Sequence, residues 1–127
     1  MDEDEKENLL ATFKASLDSI FAEKLAKESW RKKIGNFSTR VNLAAVAPDN
    51  KAYLHVIVKD GGITVEPGKL DDADFELDAP FEVFFNIAIG TANATKSLFS
   101  GKLKTKNGLK NIKKLLFLQK LLILEKL

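Results

Sequence analysis

Cysteine is absent from the chain. That excludes a disulfide framework, thiolate metal sites and a cysteine nucleophile. Histidine is nearly absent too: His55 is the only one, it lies mid-strand with no ligand or base partner near it in sequence, and it reads as structural rather than catalytic. Arginine numbers two, too few for bidentate readout of nucleic acid. No apolar run reaches the roughly 18 residues a membrane-spanning helix needs. Met1 to Asn8 is acidic and lacks the apolar stretch of a secretory signal, so the expectation is a soluble, cytoplasmic protein.

What remains fits one domain over residues 1–127, since a chain of this length can bury one core and not two. The apolar share of 45% is ordinary for a folded domain. Net charge is only +2, but it is unevenly placed. From Lys96 onward nine lysines face one acid, Glu125, a net of +8; the remainder holds eleven basic and seventeen acidic residues, a net of −6. Such asymmetry marks nucleic acid, membrane headgroups or an anionic ligand as partners, or simply a solvated basic face.

Along the chain, residues 1–8 read as a frayed acidic lead-in. Leu9, Leu10, Phe13, Leu17, Ile20 and Phe21 then recur on one side of an amphipathic helix. Lys27 to Lys33 is polar except for Trp30 and reads as a connector or broken helical turn. From Asn36 the period changes to two, giving strands at 37–45 and 51–59. Asp60-Gly61-Gly62 turns into a third strand at 63–66, and 73–78 forms a fourth, so an antiparallel meander is expected. Asp74, Glu76 and Asp78 alternate along that strand and read as its solvated face, with Phe75 and Leu77 inward.

The second half is helical with one interruption. Asp78 is placed to cap a helix that Pro80 begins and Gly90 stops. In it Phe81, Phe84, Phe85 and Ala88 share a face by the helical period. Asn93 to Ser100 is a short helix carrying Leu98 and Phe99, 102–106 a last strand holding Leu103, and 109–127 a long C-terminal helix. Periodicity predicts two apolar stripes on that helix. One holds Ile112, Leu115, Leu116, Gln119, Leu122 and Ile123; the other, outward, holds Phe117, Leu121 and Leu124. The order specifies an α+β domain: a sheet of about five strands, largely antiparallel, with helices gathered on one face.

No catalytic constellation emerges. Gly61-Gly62 lacks the spacing of a phosphate loop, and Ser97 and Ser100 lie in no nucleophile elbow. Paired carboxylates on the fourth strand are better explained by solvation than by acid–base work. The lysines from 102 to 114 have no interleaved aromatics for base stacking, which weighs against nucleic acid. Periodicity alone assigns the phenylalanines to the core as readily as to a pocket.

Phe99-x-Gly101-Lys102-Leu103-Lys104, then Gly108-Leu109, Lys114-Leu115 and Leu118-Gln119, together with Trp30-x-Lys32-Lys33-Ile34-Gly35, Lys59-Asp60-Gly61 and Ala73-Asp74-Phe75, form an ordered series. This series resembles the sterol carrier protein type 2 family of lipid-transfer domains. The resemblance covers nearly the whole chain past Phe13. It implies an apolar tunnel between sheet and helices that binds and transfers fatty acid, fatty acyl-CoA or sterol-like ligands, without catalysis, cofactor or metal. On that basis Phe81, Phe84, Phe85, Leu98 and Phe99 are candidate lining residues before the last strand. Leu103, Ile112, Leu115, Leu116 and Gln119 are the candidates from there on, with Gln119 positioned to meet a ligand hydroxyl or carbonyl. A tunnel of a few hundred Å³ would cost on the order of 7 kcal/mol if left empty. The C-terminal helix is expected to act as a lid. Its outward stripe would serve a homodimer contact, a transient membrane footing, or packing on the protein's own first helix. The competing functional reading is an interaction or oligomerisation module built on that helix. Two features depart from the family: the tail after Gln119 is unusually apolar, and Glu125-Lys126-Leu127 approaches a peroxisomal address but lacks its small first residue.

Overall fold

The structure, a computed structural model, describes residues 2–123, apart from the side chain of Thr95. Leu124 and the Glu125-Lys126-Leu127 end lie outside the described residues. Helix α1 runs from Glu3 to Leu25, through the acidic segment rather than after it. Its cap is Asp2, whose carboxylate accepts from the Glu5 amide at 2.8 Å, and Glu3, Asp4 and Glu5 place negative charge at the positive end of the helix dipole. The expected connector at 27–33 is a helix too: α2, Glu28–Gly35, buries Ile34 and ends in the basic pair Lys32 and Lys33. Its apolar content is low, which is why periodicity did not reveal it.

Strands β1 (Thr39–Val46), β2 (Lys51–Lys59) and β3 (Gly62–Pro67) form an antiparallel meander. Asp60 and Gly61 both take positive φ, 52° and 81°, the combination a tight hairpin turn needs to match strand twist. Strand β4 (Phe75–Ala79) departs from the expected meander. It pairs with β1 in parallel, Val41 opposite Phe75 and Leu43 opposite Leu77, so the sheet is mixed. A parallel neighbour requires a crossover, supplied by residues 68–74. Asn42 pins it: its Nδ2 donates to the Leu70 carbonyl and its Oδ1 accepts from the Leu70 amide, both at 2.8 Å. Strand β5 (Lys104–Lys106) joins β4 at the edge, giving the order β3-β2-β1-β4-β5.

Because β4 is an interior strand, Glu76 and Asp78 are buried, and the solvated face expected there does not exist. Lys51 closes on Asp78 at 2.6 Å, while Lys69 and Lys106 stand 4.0 and 3.9 Å from Glu76. Nor does Asp78 cap the next helix, because it is committed to the strand. Helix α3 (Phe81–Ala88) starts after Pro80 and is followed by Gly90 at φ 83°. Helix α4 (Ala94–Phe99) and helix α5 (Ile112–Leu122) complete the chain.

One core fills the space between sheet and helices. Val41, Leu43, Leu54, Val56 and Phe75 project from the strands toward Phe13, Leu17, Ile20, Ile34, Leu115 and Leu118. Replacing a ring such as Phe13 by Ala in a core of this kind costs about 3–5 kcal/mol.

Candidate functional site

Residues 93–122 build the site by reversing direction twice. Asn93 starts α4 by accepting the Lys96 amide on its Oδ1 at 3.1 Å. Gly101, at φ 80°, then turns the chain out of the helix, and the Leu103 amide bonds back to the Ser97 carbonyl at 3.0 Å. That bond draws Leu103 inward just before β5. Thr105 in β5 donates to the Glu76 carbonyl at 2.8 Å, fixing the edge strand to β4. Asn107, at φ 63°, and the buried Gly108 reverse the chain again. Asp74 anchors the start of α5: its carbonyl accepts from Asn111 and its carboxylate accepts from Lys114 at 2.9 Å and from Thr39 at 2.9 Å. Burial alone would raise the Asp74 pKa, but these bonds and the Arg40 amide outweigh it and hold the carboxyl below its ordinary value.

The result is a cleft of about 680 Å³ at the β5 edge, walled by α4 on one side and α5 on the other. Ala94, Leu103 and Leu115 are its buried base. Its rim is exposed and apolar: Phe99 is 90% exposed, Leu109 78%, Ile112 44% and Leu116 43%. Lys104, Thr105 and Gln119 supply the polar side chains of the lining. A space of this size with an apolar wall and a few polar groups suits an aliphatic or alicyclic ligand bearing one polar group. A second, polar depression of about 610 Å³ lies on the far side of α4, with Asn93, Lys96, Ser97 and Lys102 around it, and Gln119 borders both.

Seven of the ten candidate lining residues meet here: Leu98, Phe99, Leu103, Ile112, Leu115, Leu116 and Gln119. The other three stand elsewhere. Phe81 and Phe84 each place a ring 5.3 Å from Phe13 on α1, and Phe85 points to solvent at 51% exposure. Helix α3 thus presents its aromatic face to the first helix and not to the cleft. Ala94, Gly101, Lys104, Thr105 and Leu109 line the cleft without having been expected there. The C-terminal helix expected from residue 109 starts at Ile112, so Leu109 sits in the turn before α5, where helical periodicity gives no placement.

The two described members of the outward stripe of the C-terminal helix, Phe117 and Leu121, are spent within the fold. Leu121 is fully buried, as is Leu118, which neither stripe contained, and α5 packs on α1. The Phe117 ring lies 4.2 Å from that of Phe37 and 6.3 Å from that of Trp30. The uses expected for this stripe included packing on the protein's own first helix, and α5 does pack on α1.

A mixed five-stranded sheet with helices packed on it and an apolar cleft at its edge defines a small α+β domain. The sequence pattern of the SCP-2 sterol transfer family matches residues 9–122, and the chain belongs to that family. Membership places it among lipid-binding and lipid-transfer domains in general. No curated protein matches it in sequence. Among solved structures it is similar to the apo form of sterol carrier protein 2 from Yarrowia lipolytica, with 21% identity over 82% of this chain and 84% of that one, at a TM-score of 0.59. A ubiquinone synthesis protein, UbiJ-SCP2, shares 14% identity over 92% of this chain and 97% of that one, at a TM-score of 0.66. The inverting sec-alkylsulfatase Pisa1 from a Pseudomonas species matches 76% of this chain at 16% identity and a TM-score of 0.61. This chain spans only 14% of the length of that enzyme. At these identities the likeness is one of fold.

Proposed function

We propose that the chain binds and transfers lipid, with a fatty acid, fatty acyl-CoA or sterol-like molecule seated in the cleft between α4, β5 and α5. The observation that carries this reading is the cleft itself: a largely apolar wall built by Leu98, Phe99, Leu103, Ile112, Leu115 and Leu116 in a chain whose family is a lipid-transfer family. Burying a chain of about fifteen methylenes contributes on the order of 12 kcal/mol before association costs of roughly 4–15 kcal/mol, which gives micromolar binding and allows release. Gln119, Thr105 and Lys104 would orient the polar end, so the role is to hold and deliver rather than to transform. The interaction-module reading has less support, because the leucines of α5 that would dock a partner are buried against α1.

The test is direct. Organic extraction of the purified protein followed by mass spectrometry should release stoichiometric lipid, and the stripped protein should take up a fluorescent fatty acid. A protein that carries no lipid and takes up none after stripping would refute the reading.

A further inference from the structure

Helix α5 is unevenly held. Its later half is packed: Leu118, Leu121 and Leu122 are buried, and the Phe117 ring lies against Phe37. Its start is not. Between Leu109 and Leu116, the stretch that forms one wall of the cleft, only Leu115 is buried, while Leu109, Ile112 and Leu116 are exposed. Nor does a side chain cap the helix. Asn111, at the cap position, turns its Nδ2 instead to the carbonyls of Asp74 and Asn107, both at 3.0 Å. A helix start with so little buried surface and no cap belongs to the low-stability end of a fold. What ties it down is Asp74, the residue before β4. One carboxylate oxygen, Oδ2, accepts from Lys114 Nζ at 2.9 Å, from Thr39 Oγ1 at 2.9 Å and from the Arg40 amide at 3.2 Å. The Asp74 amide donates to the Arg40 carbonyl at 2.7 Å. Asp74 is therefore fixed to β1 and holds α5 at two points, Asn111 and Lys114, and none of these three residues lines the cleft.

We propose, on the reading of the cleft as a lipid site, that Asp74 is a positioning residue for lipid exchange: with Asn111 and Lys114 it latches the start of α5 over the cleft, and release of the latch lets lipid in and out. The wall it controls carries four apolar side chains of the cleft, Leu109, Ile112, Leu115 and Leu116. The later half of α5 stays packed on α1 and serves as the pivot. Such a gate has a kinetic signature. Loosening the latch raises the small population of the open state, which speeds entry and release by the same factor and leaves the affinity unchanged. Loss of a contact to the lipid would speed release alone.

Stopped-flow mixing with a fluorescent long-chain fatty acid reads both rates, and equilibrium titration reads the affinity. Lys114→Gln removes the ion pair at a part-exposed side chain, so the fold is retained. Entry and release should each quicken about fivefold, with the affinity unchanged. Lys114→Arg keeps the charge and the donors and should bring both rates back to those of the parent. Asn111→Ala should act in the same direction as Lys114→Gln. Hydrogen exchange, measured with no lipid present, keeps the latch apart from the lipid site. In Lys114→Gln it should quicken at the Leu115 amide, which bonds to the Asn111 carbonyl, and not at the Leu121 amide in the packed half. Unchanged exchange at Leu115 overturns the latch, as do variants that release fatty acid at the parent's rate. Faster release with a matching loss of affinity also overturns it, because it marks a lost contact and not a gate. A parent that takes up no fatty acid refutes the lipid reading and, with it, the role in exchange.

Discussion

Glu76 and Asp78 stand two residues apart on β4, so their side chains share a face, and both are buried. Two carboxylates so placed cannot both ionise freely. Burial, and then the hydrogen bond and the charge of Asp78, raise the Glu76 pKa. Asp78 is also pushed upward by burial, but hydrogen bonds from Glu76 and Lys51 outweigh this and lower it. The pair therefore divides the roles, Glu76 holding the proton longer and Asp78 the charge. Buried Oε2 of Glu76 and Oδ1 of Asp78 have no hydrogen-bond partner among protein atoms, which fits a pair under electrostatic tension. For a group whose folded pKa is raised, the stabilisation is fully present below its ordinary value and is lost as pH rises through the folded value. Glu76→Gln removes that loss. Thermal melts should show the variant gaining on the parent as pH rises above the ordinary glutamate range, where the parent's folded state still holds a proton that its unfolded chain has released. A difference that stays flat with pH would show that Glu76 is not strained.

At the scale of elements, what the sequence revealed follows from which signals are local. Helix α1, the three meander strands and the turn at Asp60-Gly61 are encoded in runs of neighbouring residues, and each lies about where its period places it, with α1 extended back to Glu3. The parallel partner of β4 is not so encoded: nothing in Phe75 to Ala79 says that its neighbour will be β1 rather than β3. Burial of Glu76 and Asp78 follows from that pairing and was hidden with it. The same holds at the site. The family resemblance pointed to the region in which Leu98, Phe99, Leu103, Ile112, Leu115, Leu116 and Gln119 line the cleft, while Phe81 and Phe84 face α1, because a helical face does not announce its partner. Gly108 tests the reversal that brings α4 and α5 together. A β-carbon there would lie inside the Thr105 side chain, whose hydroxyl holds β5 to β4. Gly108→Ala should therefore cost about 1–3 kcal/mol in denaturant unfolding and weaken lipid uptake by shifting Thr105 out of the cleft wall. A variant as stable as the parent would mean that the turn yields without disturbing β5.

For the whole molecule, the cleft poses a question of stability. An enclosed void of about 680 Å³ would cost roughly 16 kcal/mol at about 24 cal/mol per Å³, more than the 5–15 kcal/mol that holds a small domain together. The cleft avoids that cost by being open: its rim faces solvent, and the penalty is the smaller one of apolar surface left wet. It follows that the empty protein stays folded and that ligand adds stability rather than supplying it. At a hundredfold excess over its dissociation constant a ligand bound only by the folded state contributes about 2.7 kcal/mol, which for a domain of this size raises the melting temperature by roughly 10 °C. A long-chain fatty alcohol, which has no charge to engage the lysines, isolates this effect. Leu116→Glu is the discriminating variant. Its side chain is part exposed at the rim, so the unliganded protein should melt within about 0.5 kcal/mol of the parent. With a carboxylate facing the apolar wall opposite α4, the shift caused by fatty alcohol should fall below about 2 °C. If Leu116→Glu instead keeps the full shift, the alkyl chain lies somewhere other than between α4 and α5.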